Sequence, residues 1–416
     1  MASNKYIYVY AHWIGMKVPV LMGVIEAQSI KGRMSFSFEY DSKWLLSNHQ
    51  FRLDPDISWY SGKQYPNIKG NFGLFMDSMP DTWGRTLMKR RAALKNVDAE
   101  SKHYALNEVD FLLGVYDVSR MGALRFKLDK DGAFLDDSTE YPTPPWSSVR
   151  ELQYSAQVLD SDIDNNNVYD YLKLIIAPGS SLGGARPKAN ILDDNDHPWI
   201  AKFPAKNDVI DKALWELLAY KLAIKAGIDM AESKSMKVQG NYHTFFTKRF
   251  DRHNGERVHF ASAMCMTGHT EIDLCDDVAS YLELAEFIQF AGSNVEEDLS
   301  QLWRRIVFNI AISNTDDHLR NHGFLLESKG WRLSPAYDIN PSIDKDGLAL
   351  NIDMHSNALN FELARSVGDY FLLDNTVMDT IINEVSSVVS NWEIEANKIK
   401  ISRNEIQLMK GAFRWI

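Results

Sequence analysis

The stretch ISNTDDHLRNHGFLL, residues 312–326, constrains this chain more than any other. The apolar-periodic run LSQLWRRIVFNIAI leads into it, and GFLL ends it. Patterning of that kind on both sides pins the segment against a core. Yet between the two runs stand Asp316, Asp317, His318 and Asn321. A chain can absorb such a cluster as a solvated turn at a helix end, or it can use the cluster to hold a metal and a phosphate.

Asp316 and Asn321 are five residues apart, with His318 between them. Phosphoryl transfer needs a carboxylate that orients or deprotonates the attacking hydroxyl. It also needs an amide oxygen and a second carboxylate to hold Mg²⁺ on the phosphates. The spacing D-x-x-x-x-N is the one protein kinases use on their catalytic loop. The second carboxylate should follow a strand and a turn, and GFLLESKGWRLSPAYDIN supplies a hairpin pattern and then Asp338. Asp316 and His318 are therefore the candidate catalytic residues, and Asn321 and Asp338 the candidate metal ligands. Asp317 stands only four residues from Asn321 and ranks behind Asp316.

The rest of the chain gives that site a setting. Its 416 residues are enough for two or three domains with cores of their own. No run of 18 apolar residues predicts a membrane span. The start, MASNKYIYVYAHW, lacks the pattern of a signal peptide, so a cytoplasmic location is expected. Two cysteines, Cys265 and Cys275, supply neither a disulfide framework nor a zinc cluster. A net charge of −11 argues against a chain that coats nucleic acid by itself, though not against an anionic nucleotide or a DNA-binding partner.

Short β-branched and aromatic runs dominate the first third: KYIYVY, VPVLMGVIEA and RMSFSFEY, with GALRFKLDKDG later. FGLFMDSMPDTWGRTLMKRRAALKN predicts helix broken at Pro-Asp. A Pro/Ser-rich stretch, 138–148, is the linker candidate. Strands are predicted at 189–192 and 198–203, then a helix over DVIDKALWELLAYKLAIKAGI and a hairpin over SKSMKVQG and YHTFFTKRF. From about 278 onward the pattern is helical. Strands, a Gly-rich turn, a lysine strand, a helix with an inward acid, a hairpin and then helices is the order of a two-lobed phosphotransferase.

The Gly-rich turn is SSLGGARPK, Ser180 to Lys188. Consecutive backbone amides near glycine can cradle phosphate, and Arg186 and Lys188 add positive charge. It matches neither a Walker A loop nor the G-x-G-x-x-G of ordinary protein kinases, so an ordinary β-turn is the plain alternative. Lys202 in WIAKFP is a lysine in an apolar strand, suited to contact phosphates while paired with Glu216 on the next helix. An edge-strand lysine and an exposed glutamate is the alternative there. TKRFDRHNGER contains a second acid-led stretch, Asp251-Arg252-His253-Asn254. The residue five after Asp251 is Glu256 rather than asparagine, so this is a decoy for catalysis. Its place just after a hairpin suits a hinge, where backbone groups of Lys248, Arg249 and Phe250 could meet adenine.

Taken together, SSLGGARPK, WIAKFP, ELLAYKLAIKAGI, FTKRFDR, NTDDHLRNHGF and SPAYDIN resemble the HipA family of bacterial toxin kinases, nearly end to end. The resemblance implies an α+β, bilobal protein-kinase-like fold: an N-terminal β-rich module (1–137), a kinase N-lobe (149–252) and an all-α C-lobe (253–416). It implies a serine/threonine protein kinase of a type II toxin–antitoxin module, using ATP and Mg²⁺. Asp316 would be the acid/base, with Asn321 and Asp338 on magnesium. Ser181, Gly183, Gly184, Ala185, Arg186, Lys188, Lys202, Glu216 and Lys248–Phe250 would serve the nucleotide. Ser181, or its neighbour Ser180, would be autophosphorylated, shutting off ATP binding. The partner would be a small HipB-like helix-turn-helix antitoxin, with DNA reached only through it, and the substrate a protein such as an aminoacyl-tRNA synthetase. One departure concerns the Gly-rich turn, where Pro187 removes an N–H donor from the cradle. A small-molecule or lipid kinase on the same scaffold, or an inactive partner-binding module, are the alternatives.

Overall fold

The computed structural model describes the chain apart from residues 1–3, 31–32, 48, 68–69, 99–104, 136–142, 162–170, 173, 176–183, 185, 271–278 and 415–416. The described chain gathers into two compact units. One is Met1–Lys206 with Arg249–Ala261, and the other is Asn207–Lys248 with Ser262–Ile416. The three-way division at 137 and 252 is a proposal about modules.

The first unit is built on a four-stranded antiparallel sheet in the order β3-β2-β1-β4, from β1 (Lys5–Ala11), β2 (Val20–Ile30), β3 (Arg33–Tyr40) and β4 (Leu124–Lys127). Its core face is aromatic. Phe38 meets Tyr40, Phe72 and Phe75 edge-on, and Phe75 meets Phe126. Each fully buried ring of this size is worth on the order of 5 kcal/mol, as an upper bound from its area. Pro80 and Asp81 interrupt the helical pattern as predicted, and α1 (Thr82–Asp98) starts directly after them. Asp81 caps that start by accepting from the Gly84 N–H at 2.7 Å. β5 (Lys188–Leu192) and β6 (Pro198–Lys202) form a hairpin that sets Lys188 opposite Lys202.

The second unit is mainly helical. α2 (Lys212–Lys225) is N-capped by Asp211 and ends at Gly227, whose φ of 77° takes the left-handed turn. A hairpin of β7 (Ser233–Met236) and β8 (Thr244–Lys248) follows. Then come α3 (Tyr281–Ala291), α4 (Val295–Ala311), the hairpin β9 (Gly323–Glu327) and β10 (Gly330–Leu333), and α5 (Asn375–Val389). Trp215, Trp303 and Trp331 are fully buried. Gly330 turns the β9–β10 hairpin at φ 147°, where a Cβ would stand 2.7 Å from the Ala291 carbonyl oxygen. No helix among the described residues is long and apolar enough to cross a membrane.

Candidate active site

The loop after α4 owes its shape to how that helix stops. Ser313 takes a left-handed φ of 50°, and the Asn314 N–H reaches back to the Asn309 carbonyl at 2.9 Å. That is the wide closing bond of a left-handed helix end. The chain reverses there and divides the two adjacent aspartates. Asp317 turns inward. A single oxygen, Oδ2, accepts from the Tyr281 hydroxyl at 2.5 Å, Asn309 Nδ2 at 2.8 Å and His322 Nε2 at 2.7 Å. Burial pushes its carboxyl up, but the facing His322 and the converging donors outweigh that and hold it below the usual carboxylate range. Asp316 turns outward: it is exposed, and its carboxylate has no hydrogen-bond partner among the described residues. Its main-chain carbonyl is fixed instead, accepting from the His318 N–H at 3.0 Å and Asn321 Nδ2 at 2.9 Å.

Asn321 is buried at the end of the 3₁₀ turn Leu319–Asn321. Its Nδ2 is spent on the Asp316 carbonyl, and its Oδ1 has no hydrogen-bond partner among the described residues. Asp338 follows β10 and adopts φ 58°, a region aspartate tolerates better than most residues. Its Oδ1 accepts from Asn340 Nδ2 at 3.2 Å. The two stretches that carry the ligand candidates touch through their neighbours, where the Tyr337 hydroxyl donates to the Arg320 carbonyl at 2.8 Å. Arg305 anchors the approach to Asp338 by donating to the Ser334 carbonyl at 2.6 Å. One amide oxygen and one carboxylate are hard oxygen donors of the kind Mg²⁺ takes alongside water and substrate phosphates. Among the described residues no group of three His, Cys, Asp or Glu could hold a metal by itself. His318 is half-buried between Asp316 and Asn321, with its Nδ1 unpartnered.

The other predicted residues are distributed over both units. In the first, Lys202 ends β6 half-buried. Lys188 is buried at the start of β5, its ammonium 2.8 Å from Asp81 Oδ2 and 3.2 Å from the Gly184 carbonyl. Arg186 donates to the Phe203 carbonyl at 3.0 Å. Ser180, Ser181, Gly183 and Ala185 lie outside the described residues. In the second unit, Glu216 is buried on α2. Lys248 ends β8, with its ammonium 3.3 Å from Glu232 and its N–H donating to the Glu232 carbonyl. Arg249, in the first unit, donates its N–H to the Pro198 carbonyl at 2.9 Å. The backbone N–H groups of Lys248 and Arg249 are thus already committed. The Phe250 ring lies 5.9 Å from that of Phe260.

The second acid-led stretch has another fate. Asp251 is fully buried and accepts from Arg249 at 2.8 and 2.7 Å, Arg252 at 2.6 Å and the Gly122 N–H at 2.8 Å. Burial opposes its charge, yet the two guanidinium groups overcome that and hold the carboxyl far below the usual range. Fully buried and engaged by two guanidinium groups and a backbone N–H, this carboxylate is out of reach of a reacting hydroxyl.

A family model described as the HipA-like C-terminal domain matches residues 180–392, just over half of the chain. The chain belongs to the HipA family. Among solved structures it is similar over 98% of its length to HipA of Shewanella oneidensis MR-1, solved with HipB and operator DNA. The TM-score is 0.67, the identity 18%, and 94% of that chain is covered. Such a likeness establishes a shared HipA-like α+β fold. A likeness to the Helicobacter pylori proinflammatory kinase CtkA is too loose to bear on fold or function, with TM-score 0.35, 15% identity, and 54% and 92% of the two chains covered. "Putative kinase Y4mE" of Sinorhizobium fredii is 23% identical over 150 residues, 34% of each protein, so the match spans about a third of that curated relative.

Sequence reasoning alone missed the residues that hold this HipA-family loop. Tyr281 opens α3 and Asn309 sits near the end of α4, both on buried faces that read as core. His322 directly follows Asn321 and was the one signal within reach.

Proposed function

We propose that this chain is an ATP-dependent serine/threonine protein kinase, the toxin of a toxin–antitoxin pair. The observation that carries this reading is the division of the two adjacent aspartates. One carboxylate is locked in the core, while its neighbour stands exposed five residues before an asparagine whose amide oxygen is left available. Asp316 then receives the proton of the attacking protein hydroxyl. Asn321 and Asp338 would hold Mg²⁺, which when bound neutralises charge on the phosphates. Lys202 and Glu216 serve the phosphates, together with Gly183, Gly184, Ala185 and Arg186. Positioning and fixed electrostatics supply most of the acceleration. The kinase name carried by Y4mE and the HipB and operator DNA bound by the Shewanella protein support the same reading. On it, a helix-turn-helix antitoxin restrains the kinase and carries it to DNA, which suits the chain's own −11 charge. The location is cytoplasmic, an aminoacyl-tRNA synthetase is the first substrate class to assay, and phosphate on Ser181 or Ser180 limits activity by repelling ATP.

The test is calorimetric titration with Mg·ATP beside intact-mass spectrometry after incubation with it. Wild type should bind and gain phosphate at 180–181. Asp338→Ala should lose roughly tenfold or more in Mg²⁺-dependent affinity, the scale of one charged contact. Absence of wild-type binding, or unchanged affinity in the variant, counts against the assignment.

A further inference from the structure

The first unit contains a buried ion pair that kinase chemistry does not call for. Asp81, the residue that breaks the helical pattern before α1, accepts through Oδ2 from the Lys188 ammonium at 2.8 Å, with both side chains almost fully buried. The same ammonium donates to the Gly184 carbonyl at 3.2 Å, four residues back in the Gly-rich turn. Gly184 has φ 104°, and a Cβ there would stand 3.4 Å from that ammonium. A second bond runs from the same helix start to the same residue, as Trp83 Nε1 donates to the Lys188 carbonyl at 3.1 Å. Two contacts from residues 81–83 therefore grip Lys188, and Lys188 grips the turn.

A buried ion pair is a poor source of stability, because desolvating both charges offsets most of the attraction. What it does supply is geometry, since a lone buried charge has few other places to go. The Lys188 ammonium, engaged by Asp81 and Gly184, is a bolt across the turn rather than a free cation for phosphate.

We infer that Asp81 is a positioning residue for nucleotide binding. Acting through Lys188, it holds the Gly184 carbonyl in place, and so makes the segment before α1 part of the nucleotide machinery. This rests on the kinase reading above for its ligand, but not for its hold on the turn.

Asp81→Asn isolates the effect. Asparagine can still cap α1 through its amide oxygen. Its NH₂ would face the ammonium, donor against donor. Mg·ATP affinity by calorimetry should fall roughly tenfold or more, the scale of one charge-assisted hydrogen bond, with phosphoryl transfer at saturating ATP little changed. Amide exchange at 184–188 without nucleotide should quicken. Lys188→Met removes the bolt from the other side, and the double variant should be no worse than Lys188→Met alone. Equal affinity in wild type and Asp81→Asn, tighter binding in Asp81→Asn, or full additivity in the double variant would each overturn the inference. So would unchanged exchange at 184–188, even in a protein that retains its melting temperature. If wild type binds no Mg·ATP while exchange still quickens in Asp81→Asn, the kinase reading fails and the hold of Asp81 on the turn stands.

Discussion

Asp251 and Asp316 head two stretches that read almost alike, D-R-H-N and D-D-H-L-R-N, yet one aspartate is sealed and the other is open. Around Asp251 the chain supplies two arginines and a backbone N–H, so the carboxylate is consumed in holding the first unit together. In the second unit the donors are supplied instead to Asp317, and the exposed Asp316 carboxylate has no hydrogen-bond partner among the described residues. A carboxylate can do chemistry only when its neighbours have not already used it. The pattern of acids, histidine and asparagine marks where to look, and the supply of donors decides which acid can act.

Replacing each aspartate separately should give opposite phenotypes. Asp316→Asn should leave melting temperature and Mg·ATP binding near wild type while transfer falls on the order of 10²- to 10⁴-fold, because a carboxamide cannot take the hydroxyl proton. Retention of more than about a tenth of the wild-type rate would remove Asp316 from that role.

Asp251→Asn should do the reverse. Two buried guanidinium groups lose their counter-charge, and urea unfolding at pH 7 should show a loss of about 3–5 kcal/mol, while the folded fraction still transfers phosphate. The acid dependence should change with it. The Asp251 carboxyl is held below its unfolded value, so its stabilisation is complete above about pH 4 and is lost as pH falls below that. Wild type should therefore lose more stability than Asp251→Asn on acidification below pH 4. An acid profile identical in the two proteins would mean the arginines do not depend on this carboxylate.

Tyr281→Phe is the smallest of the three and probes the lock itself. Losing one bond to a buried carboxylate should cost about 1.5–3 kcal/mol in stability, with a fall in transfer rate well short of that in Asp316→Asn. If Tyr281→Phe matched Asp316→Asn in rate while remaining fully folded, the active carboxylate would have to be sought at Asp317.

Much of this protein was determined by its sequence alone. Alternation in KYIYVY and RMSFSFEY makes β1 and β3, Asp81 caps the start of α1, and the left-handed Gly227 stops α2. These are local effects, set by residues within a turn or two of one another. The spacing of Asp316, Asn321 and Asp338 was legible for the same reason, since one helix end and one hairpin contain it. Which aspartate faces the solvent was not legible. That depends on the Tyr281 hydroxyl, 36 residues from Asp317, just as the state of Lys188 depends on Asp81, 107 residues away. A carboxylate's charge is written in the sequence, but its availability is set by partners that only folding brings within hydrogen-bond reach.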